Sequence, residues 1–331
     1  MRSVSSTETK KAKELCFLCG EADSYQTGIT GIKVDGRSYD ILFCKKCKIG
    51  RTDPFLDEKK IKGIYSSAVY RDDDSTRFFS PVEKILTLFR TGRRKRVERY
   101  SSAGRILDIG CGRADFLALM AARGWLATGL ELDKRVLNQG KGSKGIDLRI
   151  GGLEDVKFPE AHFNVITFWH VFEHLRNPLW ALKECSRILK QGGLLVVAVP
   201  NARSFQARIA GGRWFHLDPP YHLYHYSDDN LRRLLENAGF DVVSVNHLSF
   251  EFNPYGCLQS FFNLCGFRPN LFYDFMRSRV SGVKRLNLYA SLGIMFLLMP
   301  VALPASLIFS LIEAAMRSGG TIEAYAIKKP E

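Results

Sequence analysis

The first fifteen residues, MRSVSSTETKKAKEL, lack the apolar core that a secretory signal peptide requires. This absence predicts that the chain stays in the cytoplasm, where disulfides are rare. The eight cysteines are therefore expected to be free thiols or metal ligands. Acidic residues are also scarce, 34 against 48 basic ones, giving a formal net charge of +14. That excess indicates an anionic partner, whether nucleic acid, a phosphate-bearing substrate or an acidic membrane surface.

Charged side chains are missing altogether from residues 286–312, near the C-terminus. An apolar run of this length is typical of a membrane-spanning helix. Two prolines, Pro300 and Pro304, lie in the middle of the run and are expected to break a helix there. A strand-like segment, TIEAYAIKK, follows the run before the chain ends. The interpretation of the run therefore depends on the fold to which that last strand belongs.

Four of the cysteines form two Cys-x-x-Cys pairs, CFLCG (Cys16 and Cys19) and CKKCK (Cys44 and Cys47). Two such pairs can direct four thiolates at one ion in a tetrahedral site. Four unrelated buried thiols are the alternative, and no βαβ unit surrounds either pair to suggest a redox site. Because four sulfur ligands leave no position for a catalytic water, residues 1–52 are predicted to form a structural zinc ribbon.

Residues 53–103 are predicted to form a helical connector, since VEKILTLFRTGRRKRVERY places apolar residues at helical spacing. The same segment carries a basic cluster. A solvated helix face is the first interpretation, and binding to anionic lipid headgroups is the alternative. The cluster comprises Arg90, Arg93, Arg94, Lys95 and Arg96.

Strand and helix patterns alternate from residue 105 onward, through RILDI, ADFLALMAAR, ATGLEL, FNVITFW, NPLWALKECSRILKQGG and LLVVAV. Alternation of this kind predicts a mainly parallel sheet with helices on both faces. Ligands of such folds bind at the carboxyl ends of the strands, near the topological switch point.

The first strand of this region leads directly into LDIGCGRADF. Gly110 and Gly112 allow a sharp turn and a close approach of the backbone to a ligand. A dinucleotide fingerprint needs a further Gly or Ala where this chain has Asp115, which argues against a dehydrogenase. Asp108 precedes the glycines, and Glu131 ends the second strand, where a carboxylate can bind ribose hydroxyls.

These motifs, together with FNVITFWHVFEHLRNP, RILKQGGLLVVAVPN and PPYHLYHYS, resemble class I S-adenosylmethionine-dependent methyltransferases. The resemblance is strongest to a bacterial group with an N-terminal zinc ribbon, whose members often act in envelope or glycan pathways. It implies a doubly wound, mainly parallel seven-stranded sheet. Residues 104–250 would form the cofactor-binding core, 251–320 an apolar helical insertion and 321–331 the terminal strand of the sheet.

The resemblance also implies roles for individual residues. Asp108, Gly110 and Gly112 would hold the methionine end of S-adenosylmethionine, and Glu131 its ribose. Many relatives have Asp where this chain has Gly152, so the nearest candidates for the adenine contact are Leu153 and Glu154. Trp169 and His170 would face the sulfonium and the acceptor.

Histidine is the expected general base if the acceptor is a hydroxyl group, because it titrates in the right range. His170 is the first candidate by position, followed by His222 and His225; a purely structural role for each is the alternative. The spacing of His170, Glu173 and His174 is also compatible with a metal site. Residues at that spacing more often have a structural role, so no catalytic metal is predicted.

A terminal strand in the same sheet excludes an odd number of membrane crossings by the apolar run. Two crossings need about 40 apolar residues, more than the run contains. The sequence therefore predicts a bent helical hairpin, peripheral or monotopic on the cytoplasmic membrane face, with a buried helical pair or a cap over a substrate cleft as alternatives. Basic residues flank it at Arg277, Arg279, Lys284 and Arg285.

Taken together, the sequence predicts a methyltransferase with S-adenosylmethionine and structural zinc, acting on a lipidic or lipid-linked acceptor of an envelope or glycan pathway. Nucleic acid is not favoured as a partner, because the aromatic and basic residues lie beside the apolar run and form no RNA-binding module. The alternatives are an RNA methyltransferase, a quinone-type O-methyltransferase, and a non-enzymatic interaction protein with a vestigial cofactor site.

Overall fold

The computed structural model describes residues 15–22, 24–34, 36–55, 80–140, 145–277 and 285–330. Within these ranges, the strands in chain order are β1 (Tyr25–Val34), β2 (Arg37–Cys44), β3 (Gly50–Asp53), β4 (Arg105–Ile109), β5 (Leu126–Glu131), β6 (Ile146–Ile150), β7 (Phe163–Trp169), β8 (Leu189–Pro200), β9 (Tyr224–His225), β10 (Phe240–Asn246) and β11 (Thr321–Lys328). The α-helices are α1 (Ser80–Val97), α2 (Asp115–Ala121), α3 (Lys134–Gly140), α4 (Pro178–Ile188), α5 (Phe205–Ala210), α6 (Asp228–Asn237), α7 (Asn253–Leu264), α8 (Leu271–Met276) and α9 (Arg285–Ala315).

The larger of two sheets contains seven strands in the order β10-β11-β8-β7-β4-β5-β6. The pairs from β8 to β6 are parallel, whereas β11 runs antiparallel to both β8 and β10. The strand order reverses between β4 and β7, where a ligand crevice is expected. The prediction of a doubly wound, mainly parallel seven-stranded sheet is confirmed.

The central strands form because their residues are apolar on both sides. Residues 194–199 of β8 are all buried between helical layers, as are Ile106 and Leu107 of β4. Helix α4 begins where the Asn177 side chain accepts a hydrogen bond from the Trp180 backbone, with Pro178 at the first helical position. These local signals bring the carboxyl ends of β4, β5 and β7 to one edge of the sheet.

The smaller sheet joins the N-terminal ribbon to the core. Its order is β1-β2-β3-β9, and β9 belongs to the segment PPYHLYHYS between α5 and α6. β3 pairs with β9 in antiparallel register, with Gly50 opposite His225 and Arg51 opposite Tyr224. The ribbon is therefore continuous with the core through backbone hydrogen bonds.

Helices α7, α8 and α9 form a unit that we call the apolar arm. It lies between β10 and β11 in the chain, so it leaves the sheet after β10 and returns to it at β11. The buried stripe of α9 packs on α7 and α8 through Leu292, Met295 and Ala302, against Leu258 and Phe262. An apolar helical insertion at this place in the chain was predicted.

The predicted break in the apolar run is wrong, because residues 286–312 lie within the single helix α9, with Pro300 and Pro304 inside it. Both prolines are exposed, and packing on the opposite side of the helix outweighs their unfavourable propensity. The partner of α9 in the hairpin is instead α7 with α8. By length and composition α9 could cross a membrane, and only 22% of its most apolar window is buried. Of the predicted basic flank, Arg279 and Lys284 lie outside the described residues.

The basic cluster of α1 is neither a solvated face nor a headgroup site, because four of its members pair within the protein. Lys95 alone of the five is exposed without such a pair in the described residues. The pairs are Arg90 with Asp115 (3.1 Å), Arg93 with Glu251 (2.5 Å), Arg94 with Glu98 (2.5 Å) and Arg96 with Glu323 (3.1 Å).

Candidate functional site

The turn after β4 has the backbone geometry that its glycines require. Gly110 has a φ of 71°, and a Cβ there would clash with a methyl group of Val171. Gly112 has a φ of 54°, and nothing lies within 4 Å of the position that its Cβ would occupy. Both conformations disfavour other residues. The loop thus presents its backbone to an open space at the switch point of the sheet.

Two carboxylates flank this loop, Asp108, which is buried, and Glu131, which is half-buried. Asp108 accepts a hydrogen bond of 2.6 Å from Thr167 Oγ1, and burial raises its pKa to about 7. Glu131 accepts from the backbone N–H of Gly112 (3.0 Å) and of Asp133 (3.1 Å), while burial raises its pKa as well. Carboxyl groups with pKa values raised by burial are common at functional sites, which makes Asp108 and Glu131 candidates for ligand binding.

The segment after β6 borders the same opening. Gly151 has a φ of 130°, and its N–H donates to the Glu131 carbonyl (2.9 Å). Leu153 is buried in the core, whereas Glu154 is exposed. Asp155, which follows the predicted candidate Glu154 in the segment GGLED, accepts a hydrogen bond from the Gly152 N–H (2.8 Å).

At the end of β7, Trp169 contacts Arg93 of the basic cluster. The guanidinium of Arg93 lies 4.7 Å from the Trp169 ring and 5.4 Å from the Phe252 ring, and it pairs with Glu251. The guanidinium of Arg93 is thus fixed by cation–π contacts with two rings and by an ion pair with Glu251. Nothing in the sequence distinguishes Arg93 from its basic neighbours, because Glu251 is 158 positions away in the chain.

His170 follows Trp169 in a left-handed conformation, with a φ of 56°. Its ring centroid lies 3.8 Å from that of Phe252, and its Nε2 is buried without a hydrogen-bond partner in the described part of the chain. Burial lowers the pKa of His170 to about 3, so the imidazole is neutral. His216, which the sequence motifs also did not indicate, lies 6.4 Å away, ring to ring.

Glu173 lies at the centre of a cluster of imidazoles. Its Oε1 is 3.5 Å from His170 Nδ1 and 3.8 Å from His222 Nε2. Among the residues described, neither of its oxygens has a hydrogen-bond partner, and burial raises its pKa to about 7. His170 and His222, which are far apart in the sequence, thus meet at one carboxyl group.

The third predicted histidine has a different environment. His225 Nε2 lies 2.9 Å from Thr52 Oγ1, at the joint between ribbon and core. Burial lowers its pKa to about 3. Its role as a base remains a prediction, whereas its contact with the ribbon is observed.

Two groups of side chains could hold a metal ion. The donor atoms of the first group lie within 4.8 Å of one another, and the group consists of Cys16, Cys19, Cys44 and Cys47. The Sγ atoms of Cys16 and Cys47 are 3.5 Å apart, and those of Cys19 and Cys44 are 3.6 Å apart. Zinc–sulfur bonds of about 2.3 Å put tetrahedral ligands roughly 3.8 Å apart. The four thiols therefore fit structural zinc.

The second group has its donor atoms within the same 4.8 Å limit and consists of Glu173, His174 and His222. Imidazole and carboxylate are suitable ligands for several divalent ions. The group contains two of the three residues noted for their spacing in the sequence, with His222 in place of His170.

Comparison with known proteins identifies the family. Residues 77–245, slightly more than half of the chain, match the family model described as "Methyltransferase domain". The chain belongs to this family. The resemblance to class I methyltransferases is confirmed by the match and by the strand order of the sheet.

Named relatives cover the same region. A protein of Mycolicibacterium smegmatis described as a probable S-adenosylmethionine-dependent methyltransferase is 34% identical over 145 residues, 42% of this chain and 53% of the relative. The chain thus spans about half the length of that relative. A ubiquinone biosynthesis O-methyltransferase of Maricaulis maris is 32% identical over 173 residues, 47% of this chain and 68% of the relative. A solved methyltransferase structure from Archaeoglobus fulgidus has a TM-score of 0.46 at 19% identity, covering 73% of this chain and 93% of that one.

Proposed function

We propose that the protein transfers a methyl group from S-adenosylmethionine to a lipidic or lipid-linked acceptor at the cytoplasmic face of a membrane. The observation that carries the cofactor assignment is the loop of Gly110 and Gly112 between two carboxylates, the buried Asp108 and the half-buried Glu131. This arrangement offers backbone N–H groups, a ribose-binding carboxylate and a negative charge for a cationic ligand.

S-adenosylmethionine, when bound, supplies the electrophilic methyl group. The residues of this chain have to bind and orient it, exclude water and accept a proton from a hydroxyl acceptor. Glu131 already has two backbone donors, so its carboxylate is fixed for hydroxyl groups. Arg93 lies against the rings of Trp169 and Phe252 on the acceptor side, and we expect this group to exclude water there.

His170 is the proposed base. It is neutral, its Nε2 is buried without a partner among the described residues, and its Nδ1 lies 3.5 Å from Glu173. A proton on Nδ1 directed at that carboxyl group leaves the lone pair on Nε2 to accept the proton of an acceptor hydroxyl. When Glu173 is ionised, its carboxylate stabilises the imidazolium that then forms and offsets the burial that lowers the pKa of His170.

The distribution of polarity in the apolar arm supports the membrane assignment. The side of α9 that faces the protein becomes polar toward its C-terminal end, at Ser306, Ser310 and Glu313, all of which are buried. The opposite side is apolar and exposed; Leu297 and Val301 are 79% and 74% exposed. In a soluble protein the buried side of a helix is apolar and the exposed side is polar. Exposed apolar patches of this extent therefore mark interaction surfaces. A lipid phase on the outer side fits both observations.

A quinone-type O-methyltransferase is the second candidate, because several relatives are described as ubiquinone biosynthesis O-methyltransferases. Its acceptor would also be lipidic, a phenol carrying a polyprenyl chain. An RNA acceptor has less support, since the basic cluster of α1 is largely paired internally.

The cofactor assignment is tested by calorimetric titration of the full chain with S-adenosylmethionine. Glu131→Ala removes the ribose-binding carboxylate and should weaken binding about 10- to 100-fold, the loss of a charged hydrogen-bonding group. Asp147→Ala, an exposed acid on the neighbouring strand, serves as the control and should leave affinity unchanged. Equal affinities for both variants would contradict the assignment.

A further inference from the structure

Thr52, a buried residue of the ribbon, makes the side-chain hydrogen bonds at the joint between the ribbon and the 222–225 segment of the core. Its backbone N–H donates to the Leu223 carbonyl (3.0 Å), and its hydroxyl donates to the His222 carbonyl (2.6 Å). The same hydroxyl oxygen lies 2.9 Å from His225 Nε2. Because the hydroxyl proton is already donated to the carbonyl, the oxygen accepts from a proton on Nε2, which sets the tautomer of His225.

The segment held by Thr52 continues into the acceptor site. The Leu223 N–H donates to the Glu173 carbonyl (2.9 Å), and the imidazole of His222 points its Nε2 at the Glu173 carboxyl group. His222 Nδ1 lies 2.9 Å from the His216 carbonyl, which orients the ring from the other side. A path of direct contacts therefore connects Thr52 with Glu173 and, through it, with the imidazole of the proposed base.

The cysteine site is close to this joint in the chain. Only two residues separate Cys47 from Gly50, the first residue of β3, and the Cys44 N–H donates to the Ile49 carbonyl (2.9 Å). Gly50 lies against the core so closely that a Cβ there would be 2.7 Å from the Cβ of His225. The position of β3 is thus expected to depend on the turn between Cys44 and Cys47.

We infer that the ribbon is a wall of the acceptor site, and that Thr52 is a positioning residue that holds His222 against Glu173. The inference rests on the proposed function, because it assigns Thr52 to the acceptor side of the methyl-transfer site. In this role the ribbon is part of the methyl-transfer site, and not a structural appendage independent of it. The two carboxylates of the cofactor side lie on β4 and β5 and accept their hydrogen bonds from β7 and from the backbone that follows β4 and β5, so cofactor binding should be unaffected.

The test compares Thr52→Val with Thr52→Ser and with the control Thr30→Val, at an exposed ribbon position. Valine retains the shape but removes the hydroxyl, whereas serine retains the hydroxyl. With a catechol carrying a polyprenyl chain as the acceptor probe, Thr52→Val should lower turnover about 10- to 100-fold, as expected for a misplaced site. Thr52→Ser should recover most of it, while affinity for S-adenosylmethionine and zinc content remain as in the original chain.

A second readout needs no acceptor. In the full chain labelled with ¹⁵N-histidine, NMR should show His225 with its proton on Nε2, and Thr52→Val should shift that tautomer population while Thr52→Ser should not. If the original chain fails to methylate the probe, the quinone-type acceptor is wrong, and the NMR result still tests the position of Thr52.

Removing zinc from the full chain with a chelator tests the inference without any substitution that could disturb folding. Hydrogen exchange at Leu223 should accelerate by about tenfold or more, because the contact of its N–H with Glu173 depends on the joint. The amides of Gly110 and Cys111, bonded to the Leu130 carbonyl, should stay protected.

Three results would overturn the inference. One is an unchanged His225 tautomer in Thr52→Val. The second is equal loss of turnover in Thr52→Val and Thr52→Ser, which would indicate a packing role. The third is unchanged exchange at Leu223 after zinc has been removed.

Discussion

The cofactor side and the acceptor side of the site are built in different ways. The cofactor side comes from nearby parts of the chain, in which Asp108, the glycine loop, Glu131 and the 151–155 segment all lie at the carboxyl ends of β4, β5 and β6. The acceptor side combines Thr52, Arg93, the 169–174 segment, the 216–226 segment and Phe252, which are widely separated in the chain. A site made of local motifs can be disrupted at one turn, whereas a site assembled from distant segments depends on how those segments pack.

The largest expected effect tests the local character of the cofactor side. Gly110→Ala places a Cβ against Val171 in a left-handed conformation, and the loop must move to accommodate it. We expect affinity for S-adenosylmethionine to fall by about 100-fold or more, equivalent to roughly 3 kcal/mol. Calorimetry of the full chain measures this.

The matched control is Gly124→Ala. Gly124 also has a positive φ, 86°, with nothing within 4 Å of the position that a Cβ would occupy, and it lies away from the loop. Both variants place alanine at a positive φ, which costs about 1 kcal/mol in backbone strain. Only Gly110→Ala adds a clash, with Val171 beside the loop. Similar affinities in both would show that the loop does not bind the cofactor.

The contrast explains what the sequence could predict. The order of strands, the glycine loop, Glu131 and the cysteine pairs each have a short-range signal, a period or a spacing. Arg93 and His216 have none, because their partners are distant in the chain. The break at Pro300 was predicted from propensity alone, and packing of α9 on α7 reverses that preference.

The second prediction concerns the outer side of the apolar arm. Replacing Leu297 and Val301 by Asp should lower binding to vesicles that contain anionic lipid by roughly 100-fold or more, since each apolar side chain contributes about 1.5–3 kcal/mol on burial. The stability of the protein without vesicles should change little, because both side chains are largely exposed. Sedimentation with vesicles measures the first effect, and urea unfolding measures the second.

A control on the buried side sharpens that test. Met295→Asp introduces a charge into the packed face of the arm and should destabilise the protein even without vesicles. If the double variant on the outer side binds vesicles as well as the original chain, the membrane assignment is wrong.

The last prediction concerns the pH dependence of stability that Asp108 contributes. Its pKa is about 7 in the folded protein and 3.8 in its ordinary state, so the folded state binds the extra proton. The free energy of unfolding should therefore fall as pH rises from about 4 to 7 and then level off, by no more than about 4 kcal/mol. Asp108→Asn should remove this part of the pH dependence.

Urea unfolding at about pH 5 and about pH 8, on either side of most of this change, measures the difference between the original chain and Asp108→Asn. Because Glu131 and Glu173 also have raised pKa values, only the difference between the two proteins isolates Asp108. An identical pH dependence in both proteins would mean that Asp108 is not buried in the manner described.

The most direct test of methyl transfer to a lipidic acceptor follows the label of S-adenosylmethionine carrying a radioactive methyl group. The full chain is incubated with bacterial membranes and total RNA, and the products are then separated by organic extraction. We predict that the label enters the organic phase with the original chain and, at S-adenosylmethionine concentrations below saturation, falls by about 10- to 100-fold with Glu131→Ala. Label found in the RNA fraction, or equal labelling of lipids by both proteins, would contradict the account.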